Sequence, residues 1–144
     1  MTLHESGEMY LETILRLSFD HEKVHAIDIS NEMGYSKPSV SRAVSLLKDG
    51  GYIALDSGKA ISLTKEGYEI ASKIYERHVT LSRLFMDMGV EEETAVDDAC
   101  KMEHILSDET FDAIKQHIKK EHPSILSEIE KEDSQLPKGG IALN

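Results

Sequence analysis

Residues 36–63 read SKPSVSRAVSLLKDGGYIALDSGKAISL, and this stretch decides the fold. Ser36 is a residue type favoured at a helix N-cap, and Pro38 falls in the first turn, where proline is tolerated. Apolar residues then recur at helical spacing until Gly50 and Gly51 end the helix. The segments YIAL and KAISL flank a turn of Asp, Ser and Gly, which predicts a short β-hairpin.

Two further helices are predicted before this stretch, over residues 8–19 and 26–33, the second ending at Gly34. Three helices followed by a hairpin indicate a winged helix-turn-helix, in which the second helix of the pair enters the DNA major groove. Beyond the hairpin, apolar periodicity predicts helices from about residue 64 to 88, from 91 to about Leu106, and from 108 to 121.

The predicted fold class is therefore mainly α, with two domains. Residues 1–73 are expected to form the winged helix-turn-helix DNA-binding domain, and residues 74–132 a helical metal-binding and dimerisation domain. Residues 133–144 are rich in polar residues, Gly and Pro, which predicts a flexible tail. No stretch approaches the roughly 20 apolar residues of a membrane helix, and there is no signal peptide, so we expect a cytoplasmic protein without a membrane partner.

The charge distribution restricts where a nucleic acid could bind. The net charge is −11, yet residues 1–75 carry 8 Lys/Arg and 11 Asp/Glu, whereas residues 76–144 carry 8 and 16. Between Met33 and Lys48 there is no acidic residue, although Lys37 and Arg42 are present. A basic segment inside an acidic protein favours DNA binding at the predicted second helix of the pair.

A metal site is indicated by Cys100, Glu103 and His104, which fall within about one turn if the segment is helical. Thiolate and imidazole donors together suit a transition metal ion, and the one cysteine cannot form an intramolecular disulfide. Met9 and Glu12 are one turn apart on the first helix, and His78 interrupts an apolar stripe. Singly, each of these residues is more often packing or surface, and only their combination favours a metal.

The sequence resembles the diphtheria toxin repressor family of metal-dependent transcriptional regulators over roughly residues 5–121. The motifs that carry this resemblance are EMYLETI at 8–14, SKPSVSRAVSLLKDGGYI at 36–53, LTKEG at 63–67, ERH at 76–78 and DDACKMEHILSD at 97–108. The order, spacing and chemistry of these motifs agree. The resemblance implies the two-domain form, without the SH3-like third domain of many iron-type members.

For the metal, the resemblance implies a primary site in the manner of the iron-responsive branch, and that site falls on Met9, Cys100, Glu103 and His104. The manganese-responsive branch has carboxylates where Met9 and Cys100 stand. The two sulfur donors favour Fe(II) over Mn(II), although Mn(II) stays an alternative. Zn(II), Co(II) or Ni(II) are expected to substitute in vitro by the Irving–Williams order.

Glu12 and His78 match additional ligands of the manganese-responsive branch. The ancillary site of iron-type members looks incomplete here, because Ser82 and Val96 stand where that site has a carboxylate and a histidine. Glu12 and His78 could therefore serve a second ion, join the primary site or be structural.

On the DNA side, the resemblance places Ser36, Pro38 and Arg42 near bases, with Lys37 and Ser39 available for phosphates. Arg42 is the residue expected to read the sequence directly, since arginine can bind guanine O6 and N7 bidentately. Regulators of this class bind palindromic operators, which requires a two-fold symmetric dimer. The apolar residues proposed for that dimer surface, which could instead be domain core, are Leu84, Phe85, Met88, Ile105 and Leu106.

The sequence as a whole predicts a repressor of metal-homeostasis genes that binds its operator when loaded with Fe(II). Besides the Mn(II)-responsive regulator, a metal-independent winged-helix regulator that senses an organic ligand is an alternative, and it would share the first half. A small zinc hydrolase would use the same residue types, but there is no H-E-x-x-H run or phosphate-binding loop. An enzyme is therefore not expected.

Overall fold

The computed structural model describes residues 3–133, which divide into two compact units, one up to Ser72 and one from Lys73. The predicted tail, apart from its first residue, lies outside the described residues. The elements in chain order are α1 (Glu5–Asp20), α2 (Ala26–Met33), α3 (Lys37–Asp49), β1 (Ile53–Leu55), β2 (Ile61–Leu63), α4 (Lys65–Asp87), α5 (Glu92–Met102), α6 (Asp108–Glu121), a 3-10 turn (Pro123–Ile125) and α7 (Leu126–Asp133).

The first unit is a winged helix-turn-helix, and the predicted mainly α fold is confirmed. Its core is built from fully buried side chains of α1, α2, α3 and β2, namely Leu11, Leu15, Ile29, Val40 and Leu63. The turn between α2 and α3 is made possible by Gly34, which adopts the left-handed conformation with φ of 73°. The Ser36 hydroxyl accepts a hydrogen bond from the Ser39 N–H at 3.3 Å and begins α3 as predicted.

The wing is an antiparallel hairpin in which Ile53 pairs with Leu63 and Leu55 with Ile61, so both strands are shorter than the predicted segments. Its turn is organised by Asp56, whose Oδ1 accepts hydrogen bonds from the N–H groups of Gly58 and Ala60 at 2.9 and 2.8 Å. These hydrogen bonds hold the pKa of the Asp56 carboxyl below its usual value, and the bond from Ala60 has the largest effect.

The junction between the wing and α4 depends on a close backbone approach. The Thr64 hydroxyl donates to the Gly51 carbonyl at 2.6 Å and accepts from the Gly67 N–H at 3.2 Å. A Cβ on Gly67 would lie 2.0 Å from the Tyr52 carbonyl oxygen, a distance that no side chain tolerates. Glycine at this position therefore lets the first turn of α4 pack against the backbone of Tyr52, the residue before β1.

The second unit is helical, with most of α4 and all of α5, α6 and α7. It differs from the sequence-based prediction in two places, the end of α5 and the presence of α7. Helix α5 ends at Met102 and not near Leu106, because residues 103–106 form a turn in which the N–H groups of Ile105 and Leu106 both donate to the Met102 carbonyl. Ser107 then caps α6 by accepting from the Thr110 N–H at 3.1 Å.

The other difference is α7, which the sequence analysis did not predict. This short helix buries Ile129 against the unit, and it follows a 3-10 turn that buries Ile125. Arg83 of α4 forms an ion pair with Glu132 of α7, a contact between residues 49 apart in the chain. Among residues 3–133, no helix combines the length and apolar character needed to cross a bilayer.

Candidate metal centre and DNA-binding surface

The centre of the candidate metal site is the carboxylate of Glu103, which is fully buried directly after α5. Its Oε2 lies 2.8 Å from Nδ1 of His78 on α4, and its Oε1 lies 3.4 Å from Nε2 of His104. The His104 side chain is also fully buried. Two imidazoles from different parts of the second unit thus converge on one buried carboxylate.

This donor set fits a divalent metal ion. A buried carboxylate is costly unless a cation or hydrogen-bond donors compensate its charge. Two ligands bound about 2.0–2.2 Å from one ion, at angles of about 90–110°, lie about 2.8–3.6 Å apart. The 3.4 Å between Glu103 Oε1 and His104 Nε2 is within that range. The spacing of this pair is therefore compatible with binding to one ion.

Cys100 lies in the last turn of α5, three residues before Glu103, and is partly buried. Met9 and Glu12 lie one turn apart on α1, in the first unit, with Glu12 buried and its Oε2 3.7 Å from Nε of Arg16. The structure thus brings His78, Glu103 and His104 together and places Cys100 next to them in the chain. The two α1 residues belong to the other unit.

The positions of the incomplete ancillary site line one cavity of about 200 Å³ in the second unit. His78, Ser82 and Val96 are among its lining residues, as is Glu132. The Ser82 hydroxyl is buried and has no hydrogen-bond partner among the described residues. Arg83, which also lines the cavity, is engaged by Glu132, so its charge is compensated by the protein itself.

The sequence analysis missed Arg77, which precedes His78 on α4. This arginine is buried, and its guanidinium donates hydrogen bonds to the backbone carbonyls of Glu103 and Leu106 and to the Asp108 carboxylate. The one signal in the sequence was an arginine beside a histidine in a helix that otherwise has a strong apolar stripe. Its partners, 26 to 31 residues away, could not be read from spacing.

On α3, the predicted DNA-binding residues occupy the face opposite the core. Val40, Val44 and Leu47 are buried, whereas Lys37, Pro38 and Arg42 are exposed. No described residue forms an ion pair with Lys37 or Arg42. The Ser36 hydroxyl, however, donates to Ser39 Oγ at 2.9 Å as well as capping the helix, so these two side chains bind each other.

Of the residues predicted to form the dimer surface, Met88 and Ile105 are the most exposed, at 65% and 71% of their surface. Leu84, Phe85 and Leu106 are partly buried. Ile105 belongs to the same turn as Glu103 and His104. The candidate metal ligands and a candidate interface residue are therefore carried by one short segment.

Comparison with known protein families gives matches over most of the chain. Residues 2–61 match the iron-dependent repressor N-terminal DNA-binding domain, and residues 64–124 match the iron-dependent repressor metal-binding and dimerisation domain. An uncharacterised HTH-type transcriptional regulator of Methanocaldococcus jannaschii is 30% identical over 120 residues, which are 82% of this chain and 96% of that protein.

The diphtheria toxin repressor of Corynebacterium diphtheriae is 30% identical over 108 residues, covering 74% of this chain and 48% of the repressor. Among solved structures, the manganese regulator SloR is similar with a TM-score of 0.70 and 28% identity, over 83% of this chain and 55% of that chain. The chain thus spans about half the length of these two relatives.

Proposed function

This chain belongs to the iron-dependent repressor family of metal-dependent transcriptional regulators, and from that membership we propose that it represses metal-homeostasis genes in the cytoplasm in response to Fe(II). The observation that carries the proposal is the convergence of His78 and His104 on the buried Glu103 carboxylate, in a chain that also has an exposed recognition helix. The site senses a metal, and the winged helix acts on DNA.

The proposed ligands are Cys100, Glu103 and His104 from the second unit and Met9 from α1. Glu12 and His78 either complete this site or bind a second ion. Ligands taken from both units would make metal binding a means of fixing α1 relative to the second unit, because binding free energy is then shared with conformational order. The ion itself would supply positive charge that neutralises the buried carboxylate.

The choice of Fe(II) depends on the sulfur of Met9 and Cys100. Thioether and thiolate donors disfavour Mn(II), which prefers carboxylate and carbonyl oxygen. Two observations favour the Mn(II)-responsive alternative. His78, which matches a ligand of the manganese-responsive branch, contacts Glu103, and the chain is similar to a manganese regulator. The experiment therefore compares Fe(II) with Mn(II).

On DNA, Arg42 is proposed to read a guanine, with Pro38 touching a neighbouring base and Lys37 pairing with a phosphate. Ser36 and Ser39 bond each other, so their proposed role is to hold the N-terminus of α3 against the phosphates through its N–H groups. Two copies of the chain would bind a palindrome as a dimer through the surface defined by Leu84, Phe85, Met88, Ile105 and Leu106.

The test measures binding to a pool of operator-containing DNA by fluorescence anisotropy under anaerobic conditions. Protein kept metal-free with a chelator is compared with protein at a buffered free concentration of Fe(II) or Mn(II). We expect Fe(II) to raise operator affinity by about 5- to 150-fold, the usual range of coupling between two sites. Glu103→Gln should abolish the response, whereas Glu109→Gln, the same change at an exposed site on α6, should keep it.

Stimulation by Mn(II) alone would overturn the iron assignment and leave a manganese-responsive member. Operator binding that ignores both metals would overturn the metal-sensing proposal and return the buried cluster to a structural role. An unchanged response in Glu103→Gln would refute the ligand assignment.

A further inference from the structure

We infer that Arg77 is the positioning residue of the candidate metal centre, because its guanidinium holds the turn of residues 103–106 that carries Glu103 and His104. This inference rests on the proposed metal-sensing function. The guanidinium is buried, with the residue 5% exposed, and one nitrogen, Nη1, donates to the Glu103 carbonyl at 3.2 Å and to the Leu106 carbonyl at 2.5 Å. The two carbonyls are those at the two ends of the turn.

The other terminal nitrogen fixes the direction of the guanidinium. Nη2 donates to Asp108 Oδ1 at 2.6 Å, and the guanidinium carbon lies 5.2 Å from the centre of the Phe111 ring. Both partners are on α6, which follows the turn. A planar, always charged group with several donors suits this role, because it can bind carbonyls and a carboxylate at once in a fixed geometry.

Adjacent residues of α4 therefore hold Glu103 at both of its ends. Arg77 binds its backbone carbonyl, and His78 binds its carboxylate at 2.8 Å. The carbonyls of a turn that follows a helix have no intrahelical hydrogen-bond donors. If the guanidinium were removed, the carbonyls of Glu103 and Leu106 would therefore need other donors. The position of the ligands thus depends on a residue that does not itself bind the ion, as outer-shell partners of metal sites do.

The same turn connects the metal centre with the proposed dimer surface. Residues 103 and 104 are candidate ligands, whereas Ile105 exposes 71% of its surface and Leu106 is partly buried. If Arg77 fixes both ends of the turn, it fixes the ligands and the apolar side chains together. Loss of the guanidinium should then weaken metal binding and the metal-dependent operator response in parallel.

The experiment compares the full chain with Arg77→Lys and Lys73→Met under anaerobic conditions. Lys73 is one turn earlier on α4, and its Nζ pairs with the same Asp108 Oδ1 at 2.8 Å, but no bond from it to either carbonyl is found among the described residues. The readouts are metal dissociation constants from competition with a fluorescent chelator, the visible absorption spectrum of bound Co(II), and circular dichroism as a check of folding.

We expect Arg77→Lys to stay folded, to raise the metal dissociation constant about 10- to 100-fold and to change the Co(II) spectrum, as mutation of outer-shell partners does. Lys73→Met should bind metal like the parent. Equal dissociation constants and spectra for Arg77→Lys and the parent would overturn the inference while leaving the proposed function intact. A parent chain that binds no metal would overturn both.

If Arg77→Lys does not fold, the variant Asp108→Asn is used instead. This change weakens the bond between the guanidinium and its third partner, Asp108, and leaves the sequence of α4 unaltered. A rise in the metal dissociation constant beyond that of Lys73→Met would support the role of Arg77. A dissociation constant equal to that of Lys73→Met would overturn it.

Discussion

At the scale of single residues, the chemistry of the donors sets what the site can bind, and buried Glu103 is its least replaceable member. Its carboxylate is completely removed from solvent and is shared between His78 and His104. An exposed carboxylate would gain little from such partners because water already solvates its charge, whereas a buried one must have its charge compensated. Cys100, by contrast, is only partly buried, and as a proposed ligand it would contribute the softness of sulfur.

Replacement of that sulfur should change which metal is preferred. Cys100→Asp supplies a hard oxygen donor at the same position, so we expect the operator response to shift towards Mn(II) and away from Fe(II). The measurement is anisotropy at matched free metal concentrations, with the neighbouring Lys101→Ala as the control. An unchanged ratio of the Fe(II) and Mn(II) responses would show that Cys100 is not a ligand.

The Asp56 carboxyl predicts a pH dependence of stability. Its folded-state pKa is lowered, chiefly by the N–H of Ala60, so the ionised form is favoured in the native protein. The stabilisation is then fully present above the unfolded-state pKa of about 4 and is lost as the pH falls through the lower folded-state value.

The urea midpoints of the parent and Asp56→Ala should therefore differ near neutral pH and converge in acid. The control, Ser57→Ala, lies in the same exposed turn and should show no such convergence. A difference that grows as the pH falls would contradict the sign of this argument.

At the scale of elements, the close approach of α4 to the backbone just before β1 depends on Gly67. Gly67→Ala would bring a methyl group against the Tyr52 backbone, which cannot move aside as a flexible side chain can. We expect a loss of about 1–3 kcal/mol or more in the free energy of unfolding, the cost of overpacking. Gly58→Ala, whose Cβ would be 3.5 Å from the nearest atom, an Asp56 side-chain oxygen, is the matched control in thermal unfolding. Equal stability of the two variants would refute the close contact.

The recognition helix α3 gives a prediction of its own, through Arg42. Arg42→Ala should cost about 1–3 kcal/mol of operator binding with little loss on unrelated DNA, since a base contact carries sequence information. Lys119→Ala removes the same charge from an exposed site on α6 and controls for electrostatics. Equal losses on operator and unrelated DNA would make Arg42 a phosphate contact.

At the scale of the whole molecule, we expect the proposed repressor to bind its operator as a dimer, because a palindrome presents two half-sites. Ile105→Glu places a charge on the most exposed of the large apolar side chains of residues 3–133 and should convert the dimer to a monomer in sedimentation velocity. Operator affinity should fall with it. Gln116→Glu, which adds the same charge at an exposed position of α6, should leave the dimer unchanged. A dimeric Ile105→Glu would move the interface elsewhere.

The sequence by itself determined the winged helix-turn-helix and the donor types of the candidate site. These depend on local information: the N-cap at Ser36, the glycine at position 34, the Asp-Ser-Gly turn that begins at Asp56 and the short spacing from Cys100 to His104. Each is a property of a few consecutive residues, so pattern and propensity suffice to predict it.

The tertiary structure alone decided where α5 ends, that α7 exists, and which side chains hold the site. No glycine or proline lies between Met102 and Ser107 to end the helix. The turn there accepts hydrogen bonds from Arg77, which lies 26 residues before Glu103 in the chain. The ion pair of Arg83 with Glu132 likewise joins distant segments. Such contacts form only when packing brings the helices together, and no local spacing in the sequence encodes them.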